Sequence, residues 1–271
     1  MTKTSAILPF TIITFFAAVC GTAIAGSIEY ETTKTLSLDA KDLDKFEIDA
    51  RAGFLKIEGE EGRDSIEVVA EIAVEDEDYR LSLDRKGSKA VLIADPNPSN
   101  TNNWFGDSPK IDLTIKMPKA LVLQIEDGSG FIELENLTGD LRIDDGSGHI
   151  NATKIAANVN IEDGSGHIKL SDITGSIKIH DGSGSIEING AGESVDIKDG
   201  SGGIELFDIG GKVDVEDGSG GLVVKSAKGH VTIDDGSGDI RVESLAAGLT
   251  VIEAGSGGLS MKNVEGEIIT H

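Results

Sequence analysis

The chain has 271 residues, with 24 Lys and Arg against 48 Asp and Glu, a formal net charge of −24. Such a balance repels nucleic acid and anionic membrane surfaces and makes cations the natural small partners. Aromatic residues are only 4% and there is a single cysteine, so neither a large aromatic core nor a disulfide framework is available.

The first 25 residues read as an export signal. Lys3 supplies the positive start, residues 6–19 are rich in Ile, Phe and Ala, and Ala23-Ile24-Ala25 is an A-x-A cleavage signal. Cleavage would leave a chain beginning at Gly26. No later run approaches the roughly 20 apolar residues that a helical span needs. Cys20 lies within the signal, and Val19 before it is bulkier than a lipidation site usually has; a mature chain without it has no thiol for a disulfide or a metal. The expected location is periplasm, cell surface or medium.

Residues 26–120 are irregular. "FEIDARAGFLKIEG" (46–59) already shows strand, turn, glycine, strand, and "SIEVVAEIAV", "RLSLDRKGSKAVLIAD" and "KIDLTIKMP" read as longer strands. Between them 95–109 is a polar, proline-containing loop carrying the only Trp. This region is expected to form degenerate wide coils that cap the regular repeats and cover a strand edge.

Residues 121–271 are regular. Asp-Gly-Ser-Gly begins at Asp127, Asp145, Asp163, Asp181, Asp199, Asp217 and Asp235, with an altered copy at Ala254. Each unit of nine is a four-residue turn followed by a five-residue alternating strand, and turns of two kinds alternate, so the repeat is a pair of 18. One strand contributes columns such as Leu141, Val159, Ile177 and Ile143, Ile161, Ile179; the other contributes Ile132, Ile150, Ile168 and Leu134, Ala152, Leu170. A fifth apolar station (Leu137, Ile155, Ile173) falls in the alternate turn.

Identical columns at fixed spacing mean that each coil stacks on its own copy. The fold expected is all-β: a parallel β-solenoid of about 18 residues per coil and two short strands per coil, on the order of 40 Å long at about 4.8 Å per coil. The apolar stations fall two, seven, two and three apart, which rejects the left-handed hexapeptide helix. A two-sheet sandwich of hairpins stays open, though identity at 18 favours stacking.

The DGSG phrase has two readings. As a corner, glycine permits positive φ, and Asp accepts hydrogen bonds from backbone N–H groups two residues on. As a site, stacking lines up seven carboxylates about 4.8 Å apart, each pair repelling by about 0.9 kcal/mol in bulk water, and Ca²⁺ between coils would reverse that sign. The metal candidates are therefore those seven aspartates, with the corner reading preferred. Glu126, Asp144, Glu162, Glu216 and Asp234 would add charge, while His180 and Lys198 interrupt it. His149 and His167, one coil apart, with His180 near the following corner, are a further transition-metal candidate, weighed against plain solvated histidines.

No Ser/His/Asp constellation or phosphate loop occurs, and the acids follow the repeat instead of marking one unique pair, so no catalytic residue is assigned. Phe131 and Phe207 project outward and could stack on a sugar. The export signal, the degenerate section "FEIDARAGFLKIEGEEGRDSIEVVAEI", a strand ending in "IKMP", and serial "DGSGxIxL" and "GxIxI" units resemble the bacterial putative-adhesin β-strand-repeat family over 46–269. The resemblance implies an exported β-solenoid and a binding role, with no catalytic residues to carry over. The function expected is a non-catalytic adhesin or envelope structural module with glycan or envelope-protein partners. The alternatives are a Ca²⁺-dependent repeat module and a carbohydrate-active β-helix enzyme.

Overall fold

The computed structural model describes residues 13–15, 28, 30–98 and 108–271. The export signal, apart from a short strand Ile13–Phe15, and most of the Trp-bearing loop lie outside the described residues.

The chain is an all-β solenoid of two sheets, one of 13 strands and one of 12. From Val122–Asp127 onward, successive coils place one strand in each sheet. Thus Leu141–Asp145 and Val159–Asp163 pair in parallel in one sheet, and Gly148–Ile155 and Gly166–Ile173 pair in parallel in the other. In the regular coils the register is 18: Leu141 faces Val159, Ile150 faces Ile168, and Asp145 faces Asp163; an irregularity after Ile233 makes it 19 in the last coil, where Ile240 faces Leu259 and Leu249 faces Ile268. The sandwich of hairpins is thereby excluded for this region.

Alternation fixes which side chains enter the core. In Leu141–Asp145 the burial pattern is buried, exposed, buried, exposed, buried, so Leu141 and Ile143 face the opposite sheet. Ile132, Leu134, Ile150, Ala152, Ile168 and Leu170 face them from the first sheet, each at most 1% exposed. Each buried Leu, Ile or Val is worth about 1.5–3 kcal/mol relative to leaving it exposed, so the stacked columns carry the favourable term of the fold.

The fifth apolar station depends on a residue in the left-handed region. Asn136, Lys154, Asp172, Gly190, Asp208, Ser226 and Ser244 have φ between 55° and 87°. That single left-handed residue breaks the two-residue alternation, so Leu137, Ile155 and Ile173 turn inward three places after the previous buried residue. This accounts for the irregular spacing of the stations.

The DGSG corner is set by coil-to-coil contact. The last glycine of each phrase, as in Gly148 (φ 144°) and Gly166 (φ 151°), lies in backbone space that side chains avoid. A Cβ built on Gly148 would overlap the carbonyl oxygen of Gly130 in the neighbouring coil. The ladder continues through the corner: the Gly146 N–H donates to Asp127 O (3.0 Å) and the Gly148 N–H to Ser165 O (3.0 Å).

The two ends differ. Before the regular coils, Lys45–Ala50 and Gly53–Glu60 form one coil that stacks in parallel on Val122–Asp127 and Gly130–Leu137. Beyond it Lys89–Asp95 and Lys110–Pro118 still add in parallel, to Lys45–Ala50 and Gly53–Glu60, and the strands outside them are antiparallel. Tyr30–Asp39 pairs with Ser65–Val74, which pairs with Lys110–Pro118, while Arg80–Lys86 pairs with Lys89–Asp95. Strands of up to 10 residues are too long for the five-residue side of a coil, so they fold back on one another. At the other end Leu259–Val264 and Ile268–Thr270 are the outermost strands of the two sheets.

The corner contact gives a paired prediction. Gly148→Ala should cost at least about 2 kcal/mol, a shift of several degrees in the thermal midpoint. Gly203→Ala, at a position with open space around it, should be neutral or slightly stabilising. Equal effects in calorimetry would contradict stacking as the reason for the glycines.

Candidate functional site

The seven aspartates are brought into one line. Asp127, Asp145, Asp163, Asp181, Asp199, Asp217 and Asp235 are register partners from coil to coil. They point inward. Each ends a strand whose alternation places it on the core side, and their exposures run from 0% for Asp235 to 8% for Asp127.

Each carboxylate uses its two oxygens differently. Oδ1 accepts the backbone N–H of the serine two residues on, at 2.9–3.2 Å from Ser147 to Ser237, which is the Asx-turn expected of the corner. Oδ2 is buried and has no hydrogen-bond partner in any of the seven. An unpaired buried carboxylate oxygen is costly, and the cost is relieved if the group is neutral. Burial pushes all seven pKa values up, to about 7 for Asp127 and about 6 for Asp163, Asp181 and Asp217. The next carboxylate in the ladder adds to the rise for Asp127, Asp163, Asp181, Asp199 and Asp217.

Metal chemistry has a different requirement, a set of oxygens converging on one point. Among the described residues no group of three or more His, Cys, Asp or Glu is arranged to hold a metal ion. The outer acids Glu162 and Glu216 sit on the opposite face of the strand from Asp163 and Asp217, so they do not join the inward ladder. The histidines divide as well: His149 and His167 lie on the first sheet and His180 on the second.

The outward aromatics form a stack of their own. Phe54, Phe131, His149 and His167 follow one another along the rod, with ring centroids 5.5, 6.0 and 6.1 Å apart. Phe54 and Phe131 are nearly parallel, 20° between planes, so the rings cover one another and offer edges to solvent. Phe207 carries the Lys225 ammonium 5.4 Å from its ring centre. Phe131 thus has a ring neighbour on either side, Phe54 and His149, while one face of Phe207 is turned to Lys225.

A shallow groove of about 550 Å³ runs along the outside of the second sheet, over the coils from Val122 to Asp196. One wall is the column Gln124, Arg142, Asn160 and Lys178, amide and cation in turn, so that the two cations stand about 10 Å apart. The other wall is a hydrogen-bonded edge: Asn158 donates to Asp140 Oδ1 (3.2 Å), and Asn158 Oδ1 accepts from Ser176 N–H (3.1 Å) and Oγ (2.8 Å). The groove holds Lys45, Arg142 and Lys178 against Asp140 and Asp196, so it is a cationic strip on a chain of charge −24. The sequence does show this column once residues are read at 18-residue intervals on the outward side.

The family comparison bears on the regular coils. The family model described as Toastrack DUF4097 matches residues 156–263. The match lies within the regular coils and covers less than half of the chain. No curated protein matches the chain. Three solved structures are similar to it. A putative adhesin from Parabacteroides distasonis ATCC 8503 has 15% identity and a TM-score of 0.52, over 91% of this chain and 99% of that one. A putative adhesin from Bacteroides fragilis NCTC 9343 has 13% identity and a TM-score of 0.43, over 90% and 99%. A putative cell adhesion protein from Clostridium sporogenes ATCC 15579 has 14% and 0.41, over 86% and 99%. At 15% identity and this TM-score, the first of these shares its fold with this chain. The resemblance read from the turn-and-strand grammar is thus supported from two directions.

The ladder gives a pH prediction. The unfolded aspartate titrates near 3.8 and the folded one near 6 to 7, so the folded state holds more protons between those values. The aspartates are least costly below pH 3.8, and that advantage is lost as pH rises through 6 to 7. Exposed pairs such as Glu135 with Lys154, whose glutamate is held low by the lysine, act the other way but weakly. The thermal midpoint should be higher at about pH 5 than at about pH 8. Asp163→Asn should raise the midpoint at the higher pH and narrow the difference, because the amide keeps the Ser165 bond and carries no charge. A midpoint that rises steadily with pH would contradict the ladder's protonation.

Proposed function

We propose that the chain is an exported, non-catalytic binding rod, an adhesin or envelope module, whose partner is an extended glycan lying in the groove on the second sheet. The observation that carries this reading is the groove itself. It is long and shallow and lined by amides, hydroxyls and spaced cations. Such a lining suits a ligand rich in hydroxyl groups along its whole length, with an acidic sugar tolerated beside Arg142 or Lys178.

Four further points support the reading. The acids repeat with the coils and supply no singular pair of the kind glycoside hydrolysis uses. No helix among the described residues is long and apolar enough to cross a membrane. The solved structures with related folds bear names that refer to adhesion. The A-x-A signal at residues 23–25 supports export to the periplasm, cell surface or medium. Residues 26–120 then serve as the cap of the rod and 121–271 as its regular body.

Binding to immobilised extended polysaccharides, neutral and uronate-containing, is the test. Arg142→Ala with Lys178→Ala should weaken binding by about tenfold or more, equivalent to about 1.4 kcal/mol, without lowering the thermal midpoint. Both residues are surface members of weak ion pairs, Arg142 with Glu162 and Lys178 with Asp196, so folding should be spared. Binding by the parent chain that the double substitution leaves unchanged would remove the groove from the proposal. Failure to bind any glycan, with capture of an envelope protein instead, would replace the partner class.

One observation favours a second reading, a Ca²⁺-dependent module: the seven unpartnered Oδ2 atoms, which a cation could satisfy as well as a proton. Thermal unfolding at about pH 8 in millimolar Ca²⁺ and in EDTA separates the two. A site saturated about 100-fold adds about 2.7 kcal/mol. Under protonation alone the two curves should coincide, and a calcium-dependent rise abolished by Asp163→Ala would establish the metal reading.

A further inference from the structure

The groove on the second sheet changes its chemistry from coil to coil, and the changes keep step. Counted along the rod from Lys45–Ala50, five successive coils bring Lys45, Gln124, Arg142, Asn160 and Lys178 to it. Cations come from the first, third and fifth coils and amides from the second and fourth. Lys45 starts from the neighbouring column, but its Nζ donates to Gln124 Oε1 (2.7 Å) and so carries its charge into the row. At about 4.8 Å per coil, the strands that supply neighbouring cations are about 10 Å apart. Acids close the row at both ends, since Glu47 precedes Gln124 in register and Asp196 follows Lys178.

Each of the three cations has a partner it can exchange. Glu47, 2.7 Å from the Lys45 ammonium, is also met by Lys89 at 2.9 Å, and the two lysines hold its carboxyl below the usual carboxylate range. Arg142 reaches Glu162 through Nη2 (2.8 Å), and the Lys178 ammonium lies 3.7 Å from Asp196. Solvent-facing pairs of this kind are worth about 1 kcal/mol or less, so a ligand carboxylate replaces the acid at small cost.

We infer that the groove reads the charge pattern of its polymer, one sugar per coil with an acidic group on every second sugar. This rests on the glycan reading above and names the class of glycan: a disaccharide repeat of one carboxylate-bearing and one uncharged sugar. An extended chain of equatorially linked sugars advances by about one coil spacing per residue. Such a repeat brings each carboxylate to a cation and each uncharged sugar to Gln124 or Asn160, whose amides both donate to and accept from hydroxyls. A chain acidic at every sugar carries carboxylates that meet no cation of the row, and a protein of charge −24 repels them. A neutral chain leaves the three cations in their own weak pairs.

The test is titration calorimetry of the full chain with three extended oligosaccharides of matched length: hyaluronan, acidic at alternate sugars; oligomannuronate, acidic at every sugar; and a cello-oligosaccharide, acidic at none. Hyaluronan should bind at least about tenfold more tightly than either of the others. Lys45→Gln, Arg142→Gln and Lys178→Gln should each weaken hyaluronan about threefold and leave the cello-oligosaccharide nearly unchanged. Asn160→Lys, which puts cations in three successive coils, should improve mannuronate binding and not hyaluronan binding. Arg241→Gln, outward on the first sheet, should change none of the three. Equal affinity for the two acidic chains, tighter binding of mannuronate, or a preference for the cello-oligosaccharide would overturn the inference and leave the glycan reading standing. Binding of none of the three would remove both.

Discussion

Everything in the rod depends on how closely one coil can approach the next at the DGSG corner. Strands in a parallel sheet satisfy half their backbone groups on each side, and a corner would ordinarily interrupt that ladder. Here it continues: the first glycine of each phrase donates to the coil on one side and the last glycine to the coil on the other. The arrangement leaves no space for a Cβ at the last glycine, because the neighbouring glycine carbonyl occupies it. The repeat of glycine at those positions is therefore a condition of the spacing. Because the spacing is uniform, the Ile, Val and Leu columns stay in register over the length of the solenoid.

Much of this was legible before the structure. Identity at 18 residues, two alternating strands per coil and glycine at the corner together dictate parallel stacking, and the structure has that register. The aspartates were harder. The corner reading gives their turn hydrogen bond and no burial, yet the alternation that puts Leu141 and Ile143 inside also puts Asp145 inside, two places further on. The left-handed column from Asn136 to Ser244 was not legible, because Asn, Lys, Asp, Gly and Ser share no side-chain signature; only the three-residue gap before Leu137 and Ile155 hinted at it. The antiparallel strands at the amino-terminal end were foreshadowed by their length alone.

The inward ladder shows what the corner costs. A serine N–H reaches Oδ1 in every coil and fixes the turn, while Oδ2 is left in apolar surroundings. A neutral amide would hold the same turn without the burden of a buried charge. Aspartate in all seven corners couples the fold to protons, since the neutral acid is the form its surroundings favour. The surface acts in the same direction. Lowering pH neutralises part of an excess of 24 negative charges and relieves their mutual repulsion. Core and surface thus both favour the folded rod in mildly acidic conditions, whereas proteins whose carboxylates are ion-paired in the native state lose stability there.

Regularity also determines where function can reside. A column with the same residue in every coil contributes to the fold and cannot mark one place on the rod. A site must come from columns in which neighbouring coils differ, and these lie on the outward side of the strands. The outer column Gln124, Arg142, Asn160 and Lys178 is one, and it gives way to Asp196 and Asp214 further along, so the cationic strip has a beginning and an end. The column Phe54, Phe131, His149 and His167 is another, but its rings are occupied with each other and the column passes to Ser185 and then Gly203. The strip in the groove faces outward on the flank of the rod, where the proposed glycan would lie along several coils. A surface of that shape holds a ligand by many weak contacts in series, the mode that a stack of equal coils is physically suited to provide.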